Sequence, residues 1–278
     1  MRYLLTSLLL AIVVLSSGCD PDGYSCNCDG CYADNDTPQY QTLEDCNSLC
    51  DESIPGGCGS LVLHEDYLYS TVQIGDQCWF SENCRYLPAV ALPTPTSWDT
   101  ITPYYYVNGY EGTDVEAAQA TDNYETYGVL YNWPAVMTEG ICPCGWHIPS
   151  DEEWQTLEMS LGMSAAIISN EGVRGSPVGD YMKSTSGWND YNGNSGNGSN
   201  SSGFNGLPGG GYTTMEIPGV GEIGGLAIGG DTGYWWSTSE SDYYSSYSWT
   251  RGLGRNGSFV ARLQQKNSEG FSARCVRD

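Results

Sequence analysis

Half of the twelve cysteines in this chain lie between residues 26 and 58, at Cys26, Cys28, Cys31, Cys46, Cys50 and Cys58, among Asp, Asn, Gly and Pro and almost no aliphatic side chains. A segment so poor in core formers needs covalent staples to hold a shape. Whether thiols become staples depends on the compartment, and the first residues bear on that. MRYLLTSLLLAIVVLSSGC has one charge, Arg2, then an apolar run from Leu4 to Leu15, then small residues up to Cys19. The run is too short to span a bilayer and has the three-part form of an export signal. Disulfides are therefore expected rather than metal thiolates.

The Ser-Ser-Gly-Cys junction resembles a bacterial lipobox, which implies that residues 1–18 are removed and that Cys19 is acylated. Acyl chains on that one residue would anchor the protein to the outer membrane at the cell surface without a spanning helix. Plain secretion with Cys19 in a disulfide is the alternative. An acylated Cys19 leaves eleven cysteines, so one is expected to be free or paired between molecules.

Loss of Arg2 leaves nine cations against 34 acids, a formal charge of −25. Such a surface repels phosphates and anionic headgroups, which sets a nucleic-acid partner aside. The 21 Tyr and 9 Trp supply ample surface for a core, so the chain is expected to fold.

Residues 19–60 read as a small disulfide-stapled module or stalk. Its end, "YQTLEDCNSLC", is similar to the last helix of a Kunitz inhibitor domain, but the front half lacks that family's long hairpin. From residue 61 the texture changes. "LYSTVQIGDQCWF" alternates through Tyr69, Val72 and Ile74 and predicts strands joined at Gly75-Asp76. "PYYYVNGY" is the strand expected within 88–126, and "YGVLYNWPAVM" a short apolar element. Residues 163–232, dense in Gly, Asn and Ser, predict long loops. Short aromatic-rich strands follow in "GYWWSTSE", "SSYSWTRGL", "GSFVARL" and "GFSARCVRD".

"CPCGWHIPSDEEWQTLE", residues 142–158, sets carboxylates beside His147, one of two histidines. Ser150 and Glu153 form a capping-box pattern, and Asp151, Glu152 and Glu153 fall in the first helical turn, where the dipole favours them. Trp154, Leu157 and Leu161 make one apolar stripe, and Gly162 is placed to stop the helix. The acids thus have a structural reason to be there, and a catalytic site is not expected.

"TVQIGDQCWFSEN", "YGVLYNW", "GWHIPSDEEW", "SGFNGLPGG", "GYWWSTSE" and "GFSARCV" together resemble the Fibrobacter succinogenes major paralogous domain over about residues 63–278. The resemblance implies an exported or surface-anchored bacterial protein, and it implies a Cys142–Cys275 disulfide. One further bridge is expected to join Cys84 to Cys78 or Cys144. A more distant similarity, in "HIPSDEEW" and "GFSAR", is to the sulfatase-modifying-factor family and its C-type-lectin-like fold. That similarity implies an α+β domain over 61–278, with short strands, few helices and long loops. The oxidase members of that family use paired cysteines shortly before the last strand. This chain has none between Cys144 and Cys275, so that activity is not carried over.

Other candidates are few. "WNDYNGNSGNGSN" begins like a lectin calcium triplet, and Asp190, Asn192 and Asn194 have EF-hand-like spacing suited to calcium. The sixth and twelfth positions are Ser195 and Ser201, and a flexible polar loop is the alternative. His147 is expected to be buried and hydrogen-bonded. No His-Glu-x-x-His, Gly-x-Ser-x-Gly or phosphate-loop pattern occurs, so no metal, cofactor or enzyme activity is expected. Trp235 and Trp236 are expected in the core. Tyr243, Tyr244 and Tyr247 could hold a sugar ring or pack in their loop. The function expected is binding or adhesion toward glycans or another surface protein; the alternatives are a polysaccharide-active enzyme and a non-binding structural surface component. The anchor has its own test: mass spectrometry of the mature chain should find a diacylglyceryl adduct on Cys19, and an unmodified N-terminus refutes it.

Overall fold

The computed structural model describes residues 57–93, 99–217, 221–227 and 229–278, together with the backbone of two strands, β1 (Gly23–Asn27) and β2 (Gly30–Asp34). The expected signal, Cys19, Cys46 and Cys50 lie outside the described residues. The chain divides into two compact units, 1–52 and 53–278. In the first, β1 and β2 pair antiparallel with Cys26 opposite Cys31.

The second unit consists mostly of strands, with few and short helices, among them α1 (Val115–Gln119), α2 (Asp122–Tyr127) and α3 (Trp133–Val136), and with a small pair of β6 (Tyr105–Tyr106) and β7 (Leu130–Tyr131). β3 (Leu61–His64), β4 (Tyr67–Ile74) and β5 (Gln77–Phe80) run as an antiparallel meander. Pairing of Ile74 with Gln77 leaves a two-residue turn, in which Gly75 has φ +60°. Only glycine takes that φ without cost, and a Cβ there would lie 2.7 Å from Ser160 Cβ. The turn is therefore pressed against α4 (Asp151–Ser160), the longest described helix. β15 (Val276–Arg277) enters the same sheet between β5 and β8 (Trp146–His147), in the order β3-β4-β5-β15-β8. A second sheet has the order β12-β13-β14-β9, made of Thr232–Glu240, Tyr247–Gly254, Val260–Lys266 and Gly172–Arg174.

Because side chains alternate across a strand, neighbouring residues feed two different cores. Phe80, Trp236 and Cys275 enter one, with Tyr69, Val129, Tyr131, Trp146 and Phe271. Trp79, Trp235 and Val276 enter the other, with Ile74, Trp154, Leu157, Phe204 and Val260. The expected core tryptophans, Trp235 and Trp236, are fully buried.

Residues 163–232 depart from the expected long loops. They carry β9, the helix α5 (Val178–Met182), and a hairpin of β10 (Gly211–Ile217) with β11 (Gly221–Ala227). The hairpin root exchanges backbone hydrogen bonds between Tyr212 and Gly270, and Tyr212 stacks on Tyr106 at 4.7 Å. A Cβ at Gly211 would lie 2.7 Å from the Phe271 ring, so glycine there is a packing requirement and not a loop signal.

Cys142 and Cys275 are bonded across 133 residues. The expected second bridge is corrected. Cys78 bonds to Cys58, while Cys84 keeps its thiol. Cys58 had been grouped with the stalk, but its bond clamps the start of β3 onto β5. No helix of the described residues is long and apolar enough to cross a membrane.

Candidate functional site

The acids of α4 divide into three roles. Ser150 Oγ accepts the Glu153 N–H at 3.2 Å, and Glu153 Oε2 accepts the Ser150 N–H at 2.8 Å, so the capping box is formed. Glu152 is exposed. Asp151 and Glu158 are buried, on the same face as Trp154, and point into three arginines. Asp151 Oδ1 takes Arg251 at 2.7 Å, and its Oδ2 takes Arg262 at 2.8 Å. Glu158 bridges Arg251 at 2.7 Å and Arg174 at 2.6 Å. Burial pushes the Asp151 carboxyl up, but the hydrogen bonds and charges of Arg262 and Arg251 outweigh it and hold it below its usual range.

This cluster was not found by sequence reasoning, which assigned Asp151 to the helix dipole and passed over Glu158 and the arginines. A signal was present: Asp151, Trp154 and Glu158 stand at i, i+3 and i+7, so the acids lie within the apolar stripe. Both carboxylates are committed to guanidinium groups, and at Glu158 burial raises the carboxyl against the opposing charges of Arg251 and Arg174.

His147 is half-exposed, a correction to the expected buried position. Its Nε2 meets Glu153 Oε1 at 2.7 Å and its Nδ1 meets Asp278 Oδ1 at 2.5 Å. A ring with a carboxylate on each nitrogen is an imidazolium donating twice. Burial lowers its pKa, but the hydrogen bonds to Asp278 and Glu153 win and raise it.

Polar groups converge on a cleft of about 460 Å³ between the 188–200 loop and the turn after β13. Tyr191, Asn192, Asn194, Asn197, Arg255, Asn256 and Ser258 line it, with Asp180 and Lys183 at the base. The loop is tied down by its own hydrogen bonds: Tyr191 and Asn194 exchange backbone bonds at 2.8 and 3.0 Å, and Trp188 N–H donates to Asn197 Oδ1. Arg255 donates to the Asp190 carbonyl at 3.2 Å, pairs with Asp231 and covers the Tyr191 ring.

The weak calcium candidates, Asp190, Asn192 and Asn194, sit in this loop. Among the described residues no set of three acidic, His or Cys ligands gathers around Asp190. The nearby backbone carbonyls already hold a cation, because the buried Lys183 Nζ donates to Gly196 O at 2.6 Å and Gly257 O at 3.0 Å.

Tyr243 and Tyr244 are 79% and 60% exposed on the turn between β12 and β13, with Tyr247 5.6 Å from Tyr244 ring to ring. That turn and Arg255 lie at opposite ends of the eight-residue β13, a span of roughly 25 Å. They are two surfaces and not one site.

Fold and site together define a disulfide-stapled, mainly antiparallel β domain with ion pairs in its interior and a polar cleft at one end. A family model described as the Fibrobacter succinogenes major domain matches residues 72–277, and the chain belongs to that family. No curated protein and no solved structure matches the chain.

The His147 contacts set a pH dependence. Because its pKa is raised on folding, its contribution to stability is complete below the unfolded value of about 6.5 and is lost as pH rises through the folded value. His64 is shifted the opposite way by burial, so the difference between wild type and His147→Gln isolates the effect. Urea midpoints should differ most below pH 6 and converge in alkaline buffer.

Proposed function

We propose that this is a lipid-anchored protein of the bacterial outer surface that binds neutral glycans in the cleft between Tyr191–Asn197 and Arg255–Ser258, without catalysis. The observation that carries the reading is the composition of the cleft. Amide, hydroxyl and guanidinium groups converge beside an exposed tyrosine, a mixture that matches the donors, acceptors and apolar ring faces of a sugar. Of the three charged side chains in the cleft, Arg255 pairs with Asp231, Lys183 donates to backbone carbonyls and Asp180 offsets the Lys183 charge, which favours a neutral ligand. Export and the anchor rest on the lipobox at Cys19.

A C-type-lectin-like arrangement is supported by the way β15 returns between β5 and β8, which brings the end of the domain beside its beginning. The absence of any helix-spanning segment in the described residues is compatible with anchoring by acyl chains. A second reading has its own observation: the exposed Tyr243 and Tyr244 offer a stacking platform for a sugar or for another surface protein.

A glycan-array screen of the mature ectodomain, with and without calcium, tests both. Saturable binding that survives chelation and falls at least about tenfold in Tyr191→Ala and Arg255→Ala supports the cleft. Loss in Tyr243→Ala/Tyr247→Ala instead moves the site to the aromatic turn. Release of shortened sugars refutes the non-enzymatic reading, and self-assembly with no binding refutes the glycan reading.

A further inference from the structure

Beside the Cys142–Cys275 disulfide lies a third sulfur that the binding reading does not use. Cys84 Sγ is 3.5 Å from Cys275 Sγ, and the three sulfurs lie within 4.8 Å of one another. The backbone fixes them there: Cys84 N–H donates to Ala273 O at 2.9 Å, and Phe80 N–H to Cys275 O at 3.0 Å. We propose that Cys84, Cys142 and Cys275, once the Cys142–Cys275 bond is reduced, form a three-thiolate site for one soft divalent cation.

Three observations support it. Metal–thiolate bonds of about 2.3 Å place neighbouring sulfurs about 3.8 Å apart, close to the existing Cys84–Cys275 separation. Cys84 and Cys275 are fully buried while Cys142 is partly exposed, so a reductant and a cation can enter from one side and the site beneath is dry. The charge also fits. Arg274 is fully buried next to Cys275, and its contacts are Asn83 Oδ1 and the carbonyls of Phe80, Phe204 and Asn205, with no carboxylate among them. The nearby Glu82 acts on it only through space and is already paired with Arg85, so the single negative charge of three thiolates with one divalent cation would balance the buried guanidinium.

In the absence of metal, burial pushes the Cys84 thiol up to about 12, against the opposing charges of Arg274 and Arg85. It stays protonated until a cation displaces the proton. The chemistry balances. A dithiol gives two electrons and two protons to the Cys142–Cys275 bond and becomes a disulfide itself; the cation then releases three protons from three thiols.

The test uses the full chain, reduced with a phosphine, with and without Cd²⁺, followed by alkylation and peptide mass spectrometry. Alkylation of Cys142, distinguished from Cys144 on the same peptide by fragmentation, reports this site whatever the cysteines of the first unit bind. Cd²⁺ should slow Cys142 alkylation by at least about tenfold in the wild type and by less than about twofold in Cys84→Ser, with Cys84→Ala as the apolar check on folding. Equal protection in wild type and both variants, or none in the wild type, overturns the proposal. If reduction alone abolishes the near-ultraviolet circular dichroism, Cd²⁺ should restore it in the wild type and not in Cys84→Ala; failure to do so also overturns it.

Discussion

Arg251 and Arg262 face each other directly across β13 and β14, and both are buried. At roughly 5 Å and an effective dielectric of about 20, two like charges repel by about 3 kcal/mol, before any cost of leaving water. The sheet tolerates the pair because Asp151 and Glu158 descend between the guanidinium groups from α4, and Arg174 closes the far side. The helix is therefore docked by charge as well as by Trp154 and Leu157. Its docking in turn sets Gly75 against Ser160 and seats Trp154 between Trp79 and Phe204. Arg262 also lies over the Trp249 ring at 3.3 Å, so its charge is covered on a second side.

The same economy shapes the exterior. Arg85, Arg174, Lys183, Arg251, Arg262 and Arg274 are all buried, which leaves Arg255, Lys266 and Arg277 as the partly exposed Lys and Arg side chains among the described residues. Cations go to internal order, and apart from Asp151, Glu158 and Glu269 the described acids remain at least partly exposed. An acidic surface of that kind repels like-charged groups. Arg255 is then the one of the few outward cations that stands over the cleft, where it orders Tyr191 and Asp190.

Local features were legible in the sequence, and long-range ones were not. The capping box at Ser150 and Glu153, the stripe through Trp154 and Leu157 and the turn at Gly75-Asp76 each rest on contacts within a few residues. The arginine partners of Asp151 lie 100 and 111 positions away, and a sufficient local explanation for the acid, the helix dipole, hid them. The Cys58–Cys78 bridge was missed because composition placed Cys58 with the stalk. The β10–β11 hairpin was missed because its glycines read as turn signals, whereas Gly211 is small to clear Phe271. The cleft was partly visible. Its loop was singled out for calcium by spacing, but no local pattern reveals that Lys183, several residues before the loop, supplies the cation.

The central claim is that the carboxylate of Asp151 docks the helix through Arg251 and Arg262. Urea unfolding of Asp151→Asn beside Glu152→Gln tests it most directly, since both remove one acid from the same helical turn. Removing one partner of a buried pair should cost about 3–5 kcal/mol at Asp151, while the exposed Glu152 should stay within about 0.5 kcal/mol of wild type. Near-identical unfolding of the two variants would contradict the account and leave Asp151 with no more than its share of the helix dipole.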